Sequence, residues 1–269
     1  MKFTQLKQPI IVSSLRVKTE DEAINDIKAS EEDGAQAFLL HISLLEKKYR
    51  CFESIKKIIS TTNKPVMALN YRNVNEYIPD DELCAVVVEA VKAGAVAVDM
   101  PGDIFDSDSI SSLSESNFPF VQANPKQITM RKDCIVKQKE YINKIHEMGV
   151  EVLTSLHVGV PLTCEQAVSL AIEMQSRGVD IVKIITTCPD YEHMIEMIKT
   201  IAELKKTLNI PFLYQCGGPY GKFLRRVAPM LGSMMALCHH DYIETSNPEK
   251  PLITDVKKVF ELLDFSGED

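Results

Sequence analysis

Short apolar runs alternate with amphipathic stretches along the whole chain. The runs are PIIVSSL (9–15), AQAFLLHI (35–42), PVMALNY (65–71), AVAVDM (95–100), VEVLTSLH (150–157), VDIVKII (179–185), IPFLYQC (210–216) and SMMALC (233–238). Each is of strand length and rich in Val, Ile, Leu or Ala. Most lack strict polar alternation, as expected of strands covered on both faces in a parallel sheet. Between the runs the spacing turns helical. Over 191–206, Met194, Ile198, Ile201 and Leu204 recur every three or four residues and form one apolar stripe. The charged text TEDEAINDIKASEEDG predicts a solvated first helix, and the long interval 101–149 predicts an extended loop followed by a helix near 133–148. Four runs are entered through similar text: EDGAQAF, KAGAVAV, EMGVEVL and SRGVDIV. Their glycines, Gly34, Gly94, Gly149 and Gly178, are placed to end a helix with positive φ. Eight such units, spaced by about 30 residues, predict an α/β fold: a single (β/α)8 TIM barrel forming one domain over 1–269. A doubly wound open sheet is the alternative. Neither GxGxxG nor GxxxxGK[ST] follows the first strand, so no nucleotide site is indicated.

Composition narrows the function classes. With 45% hydrophobic and 25% charged residues, 269 residues suffice for a sizeable core. A net charge of −8 argues against nucleic acid or an anionic membrane as partner. The start, MKFTQLKQPI, has no apolar signal-peptide core, and no run approaches a membrane span, which places the expected location in the cytoplasm. The seven cysteines are odd in number, widely spaced and free of CxxC pairs, which fits neither a disulfide framework nor a zinc site.

In a barrel of this kind the chemistry gathers at the C-terminal ends of the strands. Lys183 interrupts the sixth run, RGVDIVKIIT. It either snorkels outward to water or points inward, where an amine kept neutral by apolar surroundings attacks ketones and aldehydes. His157 ends the neighbouring fifth run, where an imidazole next to an imine carbon would carry a proton away and back. Ser155 shares its face by the period of two. CGGPYGKFLRR follows the seventh run; its glycines permit close backbone approach to a ligand, and Arg225 has the fork that holds a carboxylate. Arg72 ends the third run and Asp99 lies inside the fourth, where an inward carboxylate needs a cationic partner, either Arg72 or Lys183.

Taken together, SLH on the fifth strand, VDIVKI on the sixth and GxxGxxxR after the seventh resemble the type I 3-dehydroquinate dehydratases, (β/α)8 enzymes of the shikimate pathway for aromatic amino acid biosynthesis. The resemblance covers most of the chain in the right order. It implies that Lys183 forms an imine (Schiff base) with the C3 carbonyl of 3-dehydroquinate and that His157 takes the C2 proton and helps the C1 hydroxyl leave. It further implies that Arg225 holds the carboxylate, that Arg72 assists, and that Glu76 supports the histidine. Ser13 or Ser14 on the first strand matches a substrate-contacting serine, and Ser246 a serine of the lid. No metal or cofactor is implied, since the lysine is itself the electron sink. The implied partner is a small-molecule keto acid, and the implied assembly a homodimer.

The chain also departs from the family pattern. Where the second strand of the family reads ExRxD, this chain has Leu39 and His41 at the first and third positions. Val158 follows the histidine in place of a polar residue, Leu224 precedes Arg225 in place of a serine, and Pro101 replaces a glutamate. The lid text SxPGQ becomes SNPEK, with Lys250 replacing glutamine. Three readings therefore stand: a divergent 3-dehydroquinate dehydratase, a related Schiff-base lyase or aldolase on another keto acid, and a non-catalytic barrel.

Overall fold

The structure, a computed structural model, describes residues 1–72, 78–111 and 128–263. Among these residues the strands are β1 (Ile10–Leu15), β2 (Ala37–His41), β3 (Val66–Leu69), β4 (Ala97–Pro101), β5 (Glu151–His157), β6 (Ile181–Thr187), β7 (Phe212–Gly217) and β8 (Met235–Cys238). All eight predicted runs form strands. The helices are α1 (Glu20–Asp33), α2 (Phe52–Ile59), α3 (Asp80–Lys92), α4 (Ser107–Ser111), α5 (Lys132–Glu147), α6 (Cys164–Ser176), α7 (Tyr191–Thr207), α8 (Gly221–Val227) and α9 (Ile253–Leu262).

Neighbouring strands pair in parallel in the order β7-β6-β5-β4-β3-β2-β1-β8. The ring closes where Met234 N donates to Phe212 O at 2.7 Å. This is the (β/α)8 barrel, not the open sheet. Helix ends follow the sequence signals. Thr19 caps α1 by accepting from Glu22 N, and Glu22 returns the bond to Thr19 N. Gly34 ends α1 at φ 110°, a left-handed conformation that a side chain would strain. On α7, Ile201 and Leu204 are buried as the stripe requires, with Met194 and Ile198 packed at its margin.

The period of two decides which side chains enter the barrel. On β1, Ile10 and Val12 point inward while Ile11 and Leu15 meet the helical layer. Apolar side chains such as Leu39, Met67, Leu153, Ile181 and Leu213 fill the lower barrel. The bottom is sealed by the N-terminal segment. Phe3 is fully buried against these residues, and its N–H donates to the buried Glu151 carboxylate at 2.7 Å. Thr4 Oγ1 donates to the same carboxylate.

Substituting Glu151→Ala leaves these donors buried without an acceptor. It is expected to cost about 1–3 kcal/mol, read as a lowered urea midpoint at unchanged slope.

Candidate active site

The upper barrel is polar, and the same alternation builds it. Lys183 lies two residues above Ile181 on β6 and so points inward, 4% exposed. Its Nζ donates to Asp99 Oδ2 at 2.8 Å and to Tyr71 Oη at 3.1 Å. Tyr71 donates to the same Asp99 oxygen at 2.8 Å and lies 2.9 Å from Ser155 Oγ. Asp99 therefore has Lys183, not Arg72, as its cation. This corrects one expectation: the surroundings of the amine are not apolar but include a carboxylate and a phenol. Burial, and then Asp99, push the Tyr71 hydroxyl well above its ordinary pKa, so it remains a neutral relay between lysine and carboxylate.

His157 stands at the mouth, its ring 5.3 Å from that of Tyr71 and edge-on to it. Burial, followed by the nearby Lys183, Lys250 and Arg225, drives its pKa well below 6.5, leaving a neutral imidazole able to accept a proton. Arg225 enters from α8, where Nη1 donates to Gln215 Oε1 at 2.9 Å and Nε has no hydrogen-bond partner among the described residues. The glycine stretch before it is shaped by close packing: at Gly218, φ is 93° and a Cβ would stand 2.8 Å from Cys188 O. Gly218 N instead donates to Glu249 Oε1 at 2.7 Å.

These groups surround one cavity of about 580 Å³ lined also by Arg16, Leu39, His41, Thr187 and Lys250. The sequence reading did not single out Arg16 or Tyr71. The period of two finds both: Arg16 continues the inward series Ile10, Val12, Ser14 on β1, and Tyr71 continues Met67 and Leu69 on β3. His41 does turn inward, with Nε2 2.9 Å from Ser14 Oγ.

Several expected residues fall elsewhere. Arg72 lies outside the cavity lining. Its guanidinium is clamped by Asp80 through Nε at 2.7 Å and Nη2 at 2.5 Å, and by Asp103 through Nη1 at 2.9 Å. Of the two serines, Ser14 faces the cavity side, where it meets His41 and Lys250, while Ser13 points outward to Ser30 on α1 at 2.8 Å. Asp99 sits beneath Lys183 instead of on the open wall. Ser246 accepts from Ile243 N within its own loop and does not line the cavity. Glu76 lies outside the described residues.

Fold and site together define a class: a (β/α)8 barrel with an interior amine, an imidazole at the mouth and a guanidinium beside them, around a cavity of small-molecule size. Comparison with known proteins agrees. The type I 3-dehydroquinase family matches residues 132–266, just over half of the chain, a span that contains His157, Lys183, Arg225 and Lys250. The chain belongs to the type I 3-dehydroquinase family, whose members are lyases of the dehydratase kind. In fold it is similar to the 3-dehydroquinate dehydratase of Geobacillus kaustophilus (14% identity, TM-score 0.75, all of both chains). It is likewise similar to the type I enzyme of Clostridium difficile carrying covalently modified comenic acid (17%, 0.74, 98% of this chain and 97% of that one). The Enterococcus faecalis 3-dehydroquinate dehydratase is a third (13%, 0.69, 95% and 94%). No curated protein sequence matches the chain.

Two expectations follow. Arg72→Ala is expected to destabilise the fold by about 3–5 kcal/mol, because it strands buried carboxylates; equilibrium denaturation measures this. The second concerns pH. Burial, then Lys250 and Arg16, lower the His239 pKa from 6.5 to about 3, and its Nε2 accepts from Asn247 N. Below pH 6.5 the unfolded chain takes up a proton that the native ring refuses. Stability is therefore full above about 6.5 and falls as pH drops toward 3, with a limiting slope of about 1.4 kcal/mol per pH unit. His41 and His157 act in the same direction. His239→Asn should flatten the decline of the urea midpoint between pH 6.5 and 4.

Proposed function

We propose that this protein is a Schiff-base-forming dehydratase that eliminates water from 3-dehydroquinate to give 3-dehydroshikimate. The observation that carries the reading is the buried contact set Lys183–Asp99–Tyr71 beside His157 and Arg225 in one cavity. Arg225 holds the substrate carboxylate. Lys183 passes a proton to Asp99, directly or through Tyr71, and its amine adds to the C3 carbonyl. Loss of water leaves an iminium carbon that draws electrons from C2. His157, neutral through burial, removes the C2 proton. The C1 hydroxyl then leaves as water with a proton returned by the imidazole, and hydrolysis of the imine frees the amine. A single domain over 1–269, a homodimer and a cytoplasmic location belong to the same reading.

A second reading, lyase or aldolase chemistry on another keto acid, is favoured by one feature. Leu39 lines the cavity where a polyhydroxylated ring needs hydrogen-bonding partners, and unmatched polar groups cost such a substrate orders of magnitude.

Borohydride reduction in the presence of 3-dehydroquinate, followed by peptide mass spectrometry, is expected to place the adduct on Lys183. A well-folded protein that gives no adduct would direct attention to other keto acids. Lys183→Ala should abolish both adduct and turnover. His157→Ala should retain the adduct while turnover falls by about 10²–10⁴-fold; full turnover in either variant would remove the role assigned here.

A further inference from the structure

The Arg225 end of the cavity already holds a carboxylate, and it belongs to the chain itself. Glu249 lies on the segment between β8 and α9, which turns across the mouth. The base of this segment is pinned: His239 N donates to Pro251 O and Ile253 N to His239 O, both at 2.9 Å. Its tip is a tight turn, in which Glu249 N donates to Asn247 Oδ1 at 2.9 Å and Lys250 N to Asn247 O at 3.1 Å. The turn sends two adjacent side chains apart, Lys250 to Ser14 on β1 and Glu249 to the residues that follow β7.

There Glu249 Oε1 accepts from Gly218 N at 2.7 Å, and Oε2 stands 3.7 Å from Arg225 Nη2. Gly217 leaves the room for it, since a Cβ at that position would stand 2.9 Å from Oε2. A backbone N–H, a buried guanidinium and the space left by a glycine make a seat for a carboxylate. The glycines after β7 do permit close approach, as their spacing predicts, and the group that approaches is Glu249. Arg225 is engaged only in part. Nη1 is taken by Gln215, Nη2 is beyond hydrogen-bond distance of Glu249, and Nε has no hydrogen-bond partner among the described residues. A second carboxylate taking Nε and Nη2 would stand beside that of Glu249, and like charges sharing one site repel. The lid pattern SxPGQ has glycine where this chain has Glu249, so the competing group is a departure from the family pattern.

We propose that Glu249 is an internal competitor for the anion seat and a specificity-determining residue: an acid reaches Arg225 by displacing the Glu249 carboxylate and loosening the segment that carries it. The proposal rests on the reading of Arg225 as the holder of the substrate carboxylate. An acid that binds through its carboxylate alone exchanges one carboxylate for another and gains little. A keto acid gains a second attachment at Lys183, so the competitor restricts the cavity to acids that also carry a carbonyl. The affinity of any acid is reduced by the fraction of molecules in which Glu249 holds the seat.

Calorimetric titration of the full chain with pyruvate, a keto acid, and pyruvamide, its neutral analogue, tests it. Glu249→Gln keeps the length of the side chain and removes its charge; Glu249→Gly installs the residue of the family pattern. Each variant is expected to bind pyruvate at least about tenfold more tightly than the native protein, and pyruvamide equally. Hydrogen exchange gives an independent readout. Saturating pyruvate should speed exchange over residues 240–250 of the native protein, the reverse of a lid that closes on its ligand. Unchanged pyruvate affinity in cooperatively melting variants, binding of pyruvate by none of the three proteins, or slower exchange of the segment on binding would overturn the proposal. Variants that prefer pyruvate to pyruvamide without any gain over the native protein sink the competitor and leave Arg225 its role. Borohydride trapping on the same samples keeps the imine apart. Tighter pyruvate binding by the variants without a Lys183 adduct sinks the imine and leaves the competitor standing; an adduct at unchanged affinity does the opposite.

Discussion

An ammonium and a carboxylate sit 2.8 Å apart at the centre of the barrel, Lys183 on β6 and Asp99 on β4, with Tyr71 bonded to both. A buried ion pair of this kind is weak support for stability, since removing two charges from water costs nearly as much as their attraction returns. Asp99 Oδ1 even lacks a hydrogen-bond partner among the described residues. An apolar pair would fill the space with less penalty. The rest of the upper barrel is arranged around this costly contact: Ser155 fixes Tyr71, Tyr71 supports the edge of His157, and the apolar lower layer keeps water from reaching the pair from below. The barrel makes it possible, because inward residues of alternate strands, Asp99 on β4 and Lys183 on β6, meet in its interior.

The barrel was legible because its signals are local. Apolar runs, capping glycines and the stripe on α7 each depend on a few consecutive residues. Lys183 and His157 stood out for the same reason, being polar residues in apolar text. Arg72 misled because its proximity to a strand end was weighed without its parity. Counting by two from Met67 and Leu69 leads to Tyr71 and turns Arg72 toward α3 and its Asp80 clamp. The same count would have found Arg16 from Ser14. Lys250 is a different case. Its place depends on the segment after β8 folding back over the mouth to meet Ser14, a contact 236 residues apart in sequence that no local pattern announces.

Charge is unevenly distributed on two scales. The chain as a whole carries −8, yet the mouth collects Arg16, Arg225, Lys183 and Lys250. A cationic cleft in an acidic body focuses field on the cleft and draws anions there while the remaining surface repels them. Within the cleft the β3–β6 wall pairs Lys183 with Asp99. The β1–β2–β8 wall has Leu39 and His41 where the family's second strand reads glutamate and arginine, and it has Lys250.

The seal at the bottom of the barrel ties the two ends of a long interval together. Phe3 and Thr4 come before β1 in the chain, and the carboxylate that receives them belongs to Glu151, 148 residues later than Phe3. The segment that closes the floor therefore has no acceptor until β5 exists. During synthesis the first half-barrel stands open at its base, and the apolar side chains of β1 to β3 stay accessible until the fifth strand arrives.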